Sequence, residues 1–132
     1  MKKTTKLLVI GGIAAGTKAA SKARRDDPTM EITIVSDRPY VSIAGCGLAY
    51  YIGGVVSRRE SLFARSPEEF REKHRIEVLL GQRAESISTY DRSVKVRDLS
   101  TEETTIHSYD RLLLATGTSA VIPPVPGVDL GG

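Results

Sequence analysis

The hydrophobic and polar positions at the start of the chain predict a strand, a glycine-rich turn and a helix. Apolar residues fill Leu7–Ile10, Gly11 and Gly16 follow, and an alanine-rich stretch with helical spacing predicts a helix over 14–25. Such a turn lets the backbone approach a pyrophosphate closely. The helix N-terminus offers free N–H groups and the positive end of its dipole to that anion.

The predicted first helix presents a face of small residues. Ala15, Ala19 and Ala23 recur at intervals of four, with Ala20 beside them, so this face is expected to lie close on a sheet. The β-branched segment 31–36, EITIVS, then predicts a second strand. A strand, a helix and a strand within about thirty residues predict a parallel, Rossmann-like βαβ unit.

The turn matches a dinucleotide-binding fingerprint with one departure. G-x-G-x-x-G has its outer glycines at Gly11 and Gly16, and Ile13 stands at the middle position. In dinucleotide folds, the second strand ends in an acid that binds a ribose hydroxyl. Ser36 ends the strand here and Asp37 follows. Asp37 is therefore either the ribose acid displaced by one residue or the start of an Asx turn.

The second half of the chain predicts three antiparallel strands. The sequence from Ser66 to Glu69 is a capping box with proline at the first helical position, before a short helix that reaches about residue 75. Period-two patterns and turn residues then predict strands over 76–80, 84–90, 93–99 and 104–109. The last three of these follow one another closely enough to form an antiparallel meander.

One more apolar strand is predicted after the meander. The segment 111–117, RLLLATG, reads as a buried parallel strand that rejoins the first sheet. Its carboxyl end brings Thr116 and Gly117 to the nucleotide crevice. The proline- and glycine-rich tail that follows predicts a linker without a core of its own.

The single cysteine, Cys46, lies between glycines in SIAGCGLAYYIGG, where a helix is predicted to begin and to end at Gly53 and Gly54. Two interpretations are open. One is a thiolate stabilised at a helix N-terminus for nucleophilic or redox chemistry, and the other is a buried structural cysteine. One cysteine excludes an internal disulfide. A lone thiol favours a reducing compartment, so a cytoplasmic location is expected.

Composition and charge narrow the class of function. The 132 residues are 40% hydrophobic and 27% charged, which suits one soluble domain. A net charge of +3 is too small to predict a nucleic-acid partner, and no apolar stretch is long enough to span a membrane. The start, MKKTTKLLVIGG, is also typical of a secretory leader, but Lys18 and the glycine spacing favour the nucleotide turn. No metal site is predicted.

These motifs, in this order, resemble the flavin domain of the pyridine nucleotide–disulfide oxidoreductases. VIGGIAAG is similar to that family's FAD pyrophosphate turn, and YDRLLLATGTSAVIPPVPG is similar to its second FAD motif. YVSIAGCGLAYYIGG is similar to the single-cysteine segment of coenzyme A disulfide reductases and their NADH oxidase and persulfide reductase relatives. The implied fold class is α/β, with a Rossmann-like parallel sheet and a three-stranded antiparallel meander, as an incomplete FAD-binding domain.

The resemblance also implies residue roles. FAD would be the cofactor, NAD(P)H the electron donor, and Cys46 the redox residue that carries a mixed disulfide, persulfide or sulfenic acid. The implied FAD contacts are Gly11, Gly12, Ile13, Ala14, Ala15, Gly16, Ser36, Asp37, Arg38, Ala84, Ala115, Thr116 and Gly117. The implied contacts to a CoA-type thiol, disulfide or persulfide substrate are Lys18, Lys22, Arg25, Ser42 and His74.

The spacing of the charges supports an anionic partner. Lys18, Lys22 and Arg25 lie at i, i+4 and i+7, so they form one basic stripe on the first helix. The alternative interpretation is an ordinary solvated lysine face.

Some positions depart from the subgroup. An aliphatic residue at position 13 is common there, but Ile43 and Gly45 stand where the subgroup has Phe and Asn, and Ser36 stands where it has the ribose acid. That Asn helps to hold the cysteine sulfur and its thiol partner. The resemblance therefore leaves open whether the substrate is CoA disulfide, a persulfide, a polysulfide or oxygen.

The family's enzymes are much longer and homodimeric, with a separate NAD(P)H domain, a second flavin segment with a Gly-Asp motif and a dimerisation domain. This sequence has no second G-x-G-x-x-G and no Gly-Asp. The resemblance therefore implies that residues 1–120 are the N-terminal segment of an FAD-binding domain and that 121–132 are a linker toward an NAD(P)H-binding domain. The alternative is a free-standing nucleotide-binding or thiol-carrying module without turnover.

Overall fold

The computed structural model describes residues 4–130, which contain two sheets and three α-helices. In chain order the elements are β1 (Lys6–Ile10), α1 (Ala15–Asp26), β2 (Glu31–Ser36), α2 (Leu48–Ile52), α3 (Pro67–His74), β3 (Glu77–Leu80), β4 (Gln82–Ser88), β5 (Ser93–Asp98), β6 (Thr104–Ser108) and β7 (Arg111–Leu114). Short 3-10 turns occur at Gly45–Gly47 and Arg59–Leu62, and the second of these was not predicted.

Four parallel strands form the central sheet, in the order β3–β2–β1–β7. Ile10 at the end of β1 lies opposite Val35 of β2 and Leu114 of β7, so these strands end at the same edge. The predicted βαβ unit and the return of β7 to this sheet are confirmed, but β7 lies at the edge of the sheet and none of its residues is buried, so the predicted burial of this strand is wrong. β7 is shorter than predicted, and the backbone is left-handed at Gly117, with φ of +70°.

The core consists of two clusters, because the parallel strands are buried on both faces. Successive residues of β1 alternate between them: Val9 belongs to one cluster, and Leu8 and Ile10 belong to the other. Phe70 and Ile76, both fully buried, join the first cluster from the α3 region. The second cluster lies under the meander and is made largely of aliphatic residues.

The antiparallel sheet β4–β5–β6 confirms the predicted meander. Val94 and Val96 are fully buried, whereas Lys95 between them is exposed, as the period-two pattern predicts. β4 begins at Gln82, two residues earlier than predicted, and its register shifts between Ala84 and Ser86. This bulge gives β4 one extra residue relative to β5.

Helix α1 is confirmed, but the face that packs on the sheet differs from the prediction. The buried residues are Gly16, Thr17, Ala20 and Ser21, whereas Ala15 is exposed. The alanine spacing alone does not fix the rotation of the helix. Gly16 fixes it, since a Cβ added there would lie 1.9 Å from the Gly11 carbonyl oxygen and 3.0 Å from Val9 Cγ1.

The C-terminal end of α1 is fastened by an arginine. Arg24 Nε donates to the His74 carbonyl oxygen at 2.9 Å, and its Nη atoms donate to the carbonyl oxygens of Pro28 and Arg75 at 2.9 and 2.7 Å. Partial burial, followed by the neighbouring Arg75 charge, lowers the pKa of Arg24. This guanidinium therefore joins α1 to the end of α3.

The capping box before α3 is confirmed. Ser66 Oγ accepts the Glu69 N–H and Glu69 Oε2 accepts the Ser66 N–H, both at 3.2 Å. The helix ends at a left-handed residue, Arg75, with φ of +50°.

No helix within residues 4–130 has the length and apolar character needed to cross a membrane.

Candidate functional site

The glycine-rich turn after β1 is packed directly against the segment that follows β7. Gly11 has φ of +116°, and a Cβ added there would lie 2.1 Å from the Ala115 carbonyl oxygen. The Gly11 N–H donates to the Val35 carbonyl oxygen, and the Ala115 N–H donates to the Ile10 carbonyl oxygen, both at 2.8 Å. The two motifs that resemble FAD-binding segments are therefore in contact at this edge of the sheet.

A cleft opens at the carboxyl ends of β1, β2 and β7, the edge at which open α/β sheets bind nucleotides. Its volume is about 140 Å³, and we call it the dinucleotide cleft. It is lined by Ile10, Gly11, Val35, Ser36, Asp37, Gln82, Arg83, Ala84 and Thr116. A second hollow of about 270 Å³ shares Ile10, Ala84 and Thr116 with it and extends along β4.

Five of the predicted FAD-contact residues therefore line one cleft. They are Gly11, Ser36, Asp37, Ala84 and Thr116. Gly12 lies next to the cleft, since a Cβ added there would be 3.1 Å from Ser36 Cβ. Ala115 and Gly117 flank Thr116 in the chain but do not line the cleft.

The N-terminus of α1 is open to an anion. Its N-cap residue, Ala14, makes no side-chain cap, and the first turn contains no acidic residue. Ala14 and Ala15 are exposed and Ile13 is half-buried. The first N–H groups of an α-helix have no intrahelical acceptor, so these backbone donors are available to a phosphate.

The two polar residues at the end of β2 have different partners. Ser36 is 4% exposed, and its Oγ accepts the Arg38 N–H at 3.3 Å. Ser36, not Asp37, therefore makes the side-chain turn at this strand end. The Asp37 carboxylate lies 3.6 Å from Arg38 Nε and 3.5 Å from Arg83 Nη2.

Cys46 is exposed and lies in the 3-10 turn Gly45–Gly47, directly before α2. The buried structural alternative is therefore wrong. α2 has only five residues, so the predicted helix is shorter than expected and its dipole is small. Backbone contacts with residues 62 and 63 hold this turn in place. Ile43 forms an antiparallel β-bridge with Phe63, and the Ala44 N–H donates to the Leu62 carbonyl oxygen at 2.7 Å.

Ser42 joins the cysteine segment to the nucleotide turn. It has a positive φ of +57°, its N–H donates to the Gly12 carbonyl oxygen at 2.8 Å, and its carbonyl oxygen accepts the Ala64 N–H at 2.9 Å. The sequence pointed to Ser42 only through the family resemblance. The structure places its backbone against the turn that precedes α1.

The basic stripe is solvent-exposed. Lys18, Lys22 and Arg25 are all exposed, and Lys22 pairs with Asp26. Helix α1 thus turns this face outward, away from the buried Gly16 face. In the part of the chain that the structure describes, no hydrogen bond or ion pair links the stripe to Cys46.

The structure places His74 at the end of α3. It is half-buried, with its ring centroid 6.2 Å from that of Phe70. Its carbonyl oxygen holds Arg24, the chain neighbour of Arg25. His74 is thus close to the C-terminal part of α1 through the backbone.

Sequence reasoning missed Arg83 and Gln82, which line the dinucleotide cleft. Their neighbour Ala84 was identified only through the family resemblance, and no motif or spacing in the sequence marks positions 82 and 83. Within residues 4–130 no group of three or more His, Cys, Asp or Glu side chains is arranged to hold a metal ion.

A parallel sheet with a glycine turn, an uncapped helix N-terminus and a cleft at the carboxyl edge is the arrangement typical of Rossmann-like dinucleotide-binding folds. The family model for pyridine nucleotide-disulphide oxidoreductases matches residues 5–132. The chain belongs to this family, whose members use FAD and NAD(P)H. The family and the fold class that the sequence predicted are both confirmed.

Individual relatives agree with this assignment. The chain is 36% identical over 124 residues to an NADH oxidase of Enterococcus faecalis, covering 94% of this chain and 28% of that protein. It is 37% identical over 115 residues to a coenzyme A disulfide reductase of Staphylococcus haemolyticus, covering 87% and 26%.

A solved structure shows the same arrangement. The NAD-dependent persulfide reductase from A. fulgidus superposes with a TM-score of 0.87 at 38% identity, covering 94% of this chain and 23% of that one. The chain therefore spans about a quarter of the length of the relatives that it matches.

Proposed function

We propose that this chain is the N-terminal FAD-binding portion of a flavin-dependent NAD(P)H:disulfide oxidoreductase of the CoA disulfide reductase type, with Cys46 as its redox residue. In this proposal residues 1–120 belong to the FAD-binding domain, and 121–132 lead toward an NAD(P)H-binding domain. The observation that carries the proposal is the hydrogen bond between the Ser42 N–H and the Gly12 carbonyl oxygen. It fastens the cysteine segment to the nucleotide turn.

The residues present fit FAD. The exposed, uncapped start of α1 would take the pyrophosphate, with the backbone from Gly11 to Gly16 around it. The buried hydroxyl of Ser36 would face the ribose, and Asp37, Ala84 and Thr116 line the same cleft. When bound, flavin supplies transfer of an electron pair from NAD(P)H to a disulfide.

Cys46 would supply the nucleophile. Its exposure, between two glycines that place little bulk around the sulfur, leaves it accessible to a second thiol compound. Its thiolate would attack one sulfur of CoA disulfide, so that one S–S bond breaks, a Cys46–CoA disulfide forms and one coenzyme A leaves as thiolate. Only one cysteine is needed for this step.

The surface outside the cleft supports a larger protein. Leu48, Tyr50, Ile52 and Val55 are exposed around α2, and Val121 and Ile122 are exposed in the tail. Large apolar side chains that are left exposed in groups commonly mark an interface. Further domains or a second copy of such an enzyme would cover it.

Titration with FAD tests the proposal. The chain is expected to bind FAD and ADP one-to-one, and FMN more weakly, because FMN lacks the adenosine that the dinucleotide cleft would hold. Calorimetry and the visible absorbance of bound flavin measure this. A folded chain that binds neither FAD nor ADP would contradict the proposal.

Charge reversal of the stripe tests the anionic substrate. The double variant Lys18→Glu/Arg25→Glu is expected to slow formation of the Cys46–CoA disulfide about tenfold at low salt, since both cations would steer the CoA phosphates. Mass spectrometry of the adduct against time gives the rate. The effect should shrink at high salt, because screening shortens the range of the charges.

The control variant for the stripe is Arg71→Glu, an exposed charge reversal on α3. It is expected to react at the rate of the unmodified chain. A neutral disulfide such as hydroxyethyl disulfide should react equally with all three proteins. If the stripe variant reacts with CoA disulfide as fast as the control does, the stripe is only a solvated face.

A further inference from the structure

Arg83 is a charged side chain in the wall of the dinucleotide cleft that has no part in the roles described so far. Its Nη2 lies 3.5 Å from Asp37 Oδ2, while Arg38 Nε lies 3.6 Å from Asp37 Oδ1. Each oxygen of the Asp37 carboxylate therefore faces a guanidinium group. A carboxylate that binds a ribose would instead be expected to turn its oxygens toward the cleft.

The contact between Arg83 and Asp37 belongs to a junction of two distant segments. The Gly81 N–H donates to the Arg38 carbonyl oxygen at 3.1 Å, so the β3–β4 turn is fastened to the loop after β2. Asp37 and Arg83 lie beside this backbone hydrogen bond, and both line the cleft. The junction thus fixes the backbone from which the Arg83 side chain extends.

The meander gives little reason for an arginine at position 83. Arg83 lies directly opposite Arg97 of β5 in the strand register, and like charges in this position repel. Arg97 is neutralised elsewhere, at 2.6 Å from Glu85 and 3.1 Å from Glu102. An exposed ion pair such as Arg83–Asp37 contributes little to stability.

We propose that Arg83 contacts the adenosine half of the dinucleotide and that Asp37 is a positioning residue that holds the guanidinium in place. Ser36 is then the side chain at the end of β2 that meets the ribose. A planar guanidinium can donate to ribose oxygens and stack on an aromatic base, which an ammonium group does less well. This inference rests on the proposed dinucleotide binding.

The test is a set of calorimetric titrations of the 132-residue chain with ADP and FAD. Arg83→Ala is expected to weaken both affinities about tenfold, the loss of one charged hydrogen bond. Arg83→Lys should recover only part of this loss. The midpoint temperature of thermal unfolding should not fall in Arg83→Ala, because the exposed ion pair that the substitution removes contributes little to stability.

Asp37 is tested by a double-mutant cycle. Asp37→Asn should weaken ADP binding in the unmodified chain and have no further effect in the Arg83→Ala background. If it weakens binding equally in both backgrounds, Asp37 binds the ribose directly and the positioning role is wrong. Far-UV circular dichroism checks the fold, and Arg83→Lys provides the test if the alanine variant does not fold.

Arg97→Ala is the matched control, because it removes an arginine from the same sheet that does not line the cleft. It should bind ADP and FAD as the unmodified chain does. If the unmodified chain binds both ligands and Arg83→Ala binds within about twofold of it, this inference fails while the proposed function stands. Failure of the unmodified chain to bind either ligand contradicts the proposed function itself.

Discussion

Replacing Gly16 with alanine is expected to destabilise the chain by about 3 kcal/mol and to abolish binding of FAD and ADP. The added Cβ would lie 1.9 Å from the Gly11 carbonyl oxygen, and neither backbone segment can move without shifting α1 or the nucleotide turn. If α1 moves away from the turn, its N-terminal N–H groups move out of reach of the pyrophosphate. Urea unfolding followed by circular dichroism, with calorimetry for the ligands, measures both effects.

Gly45→Ala is the matched control for this substitution. No heavy atom lies within 4 Å of a Cβ added at Gly45, and its φ is not in the left-handed region. The change in stability should be within about 0.5 kcal/mol. Equal stability and equal ADP affinity for the two alanine variants would contradict the close packing of α1 on the turn.

Replacing Cys46 with serine is expected to abolish adduct formation with CoA disulfide and to leave ADP binding unchanged. A serine hydroxyl does not ionise at neutral pH, whereas the nucleophile in disulfide exchange is a thiolate. The chain contains one cysteine, so any CoA adduct seen by mass spectrometry must be on Cys46. The unmodified chain should gain one CoA.

An alkylating reagent supplies the control for the cysteine experiment. The unmodified chain should react with iodoacetamide, because the thiol is exposed. If it reacts with iodoacetamide but gains no CoA from CoA disulfide, the coenzyme A substrate is wrong and Cys46 is only an exposed thiol. If Cys46→Ser also loses ADP binding, the substitution has disturbed the nucleotide turn.

Local patterns in the sequence were sufficient to predict the elements whose conformation is set by residues that are adjacent in the chain. The segment Glu31–Ser36 was predicted to the residue, because a run of β-branched residues between polar loops has few other structures. The capping box at Ser66 and the alternating burial of Val94 and Val96 are confirmed for the same reason.

Predictions failed where contacts between distant segments decide the outcome. The sheet-facing side of α1 was misassigned, because Gly16 is placed by a carbonyl in the turn and not by the alanine spacing. The exposure of Cys46 could not be read from its glycine neighbours. The backbone contacts of residues 43 and 44 with 62 and 63 hold that turn at the surface.

The sequence by itself determined the βαβ unit and the meander, since periodicity carries them. Its short motifs determined the family, and the resemblance to that family implied the list of candidate cofactor residues. The tertiary structure decided which of those residues share a cleft. It also showed that Ser36 makes the turn at the end of β2 and that Arg83 lies beside Asp37. The physical reason is that hydrogen bonds and ion pairs between remote residues form only after the strands have paired, and no local pattern encodes them.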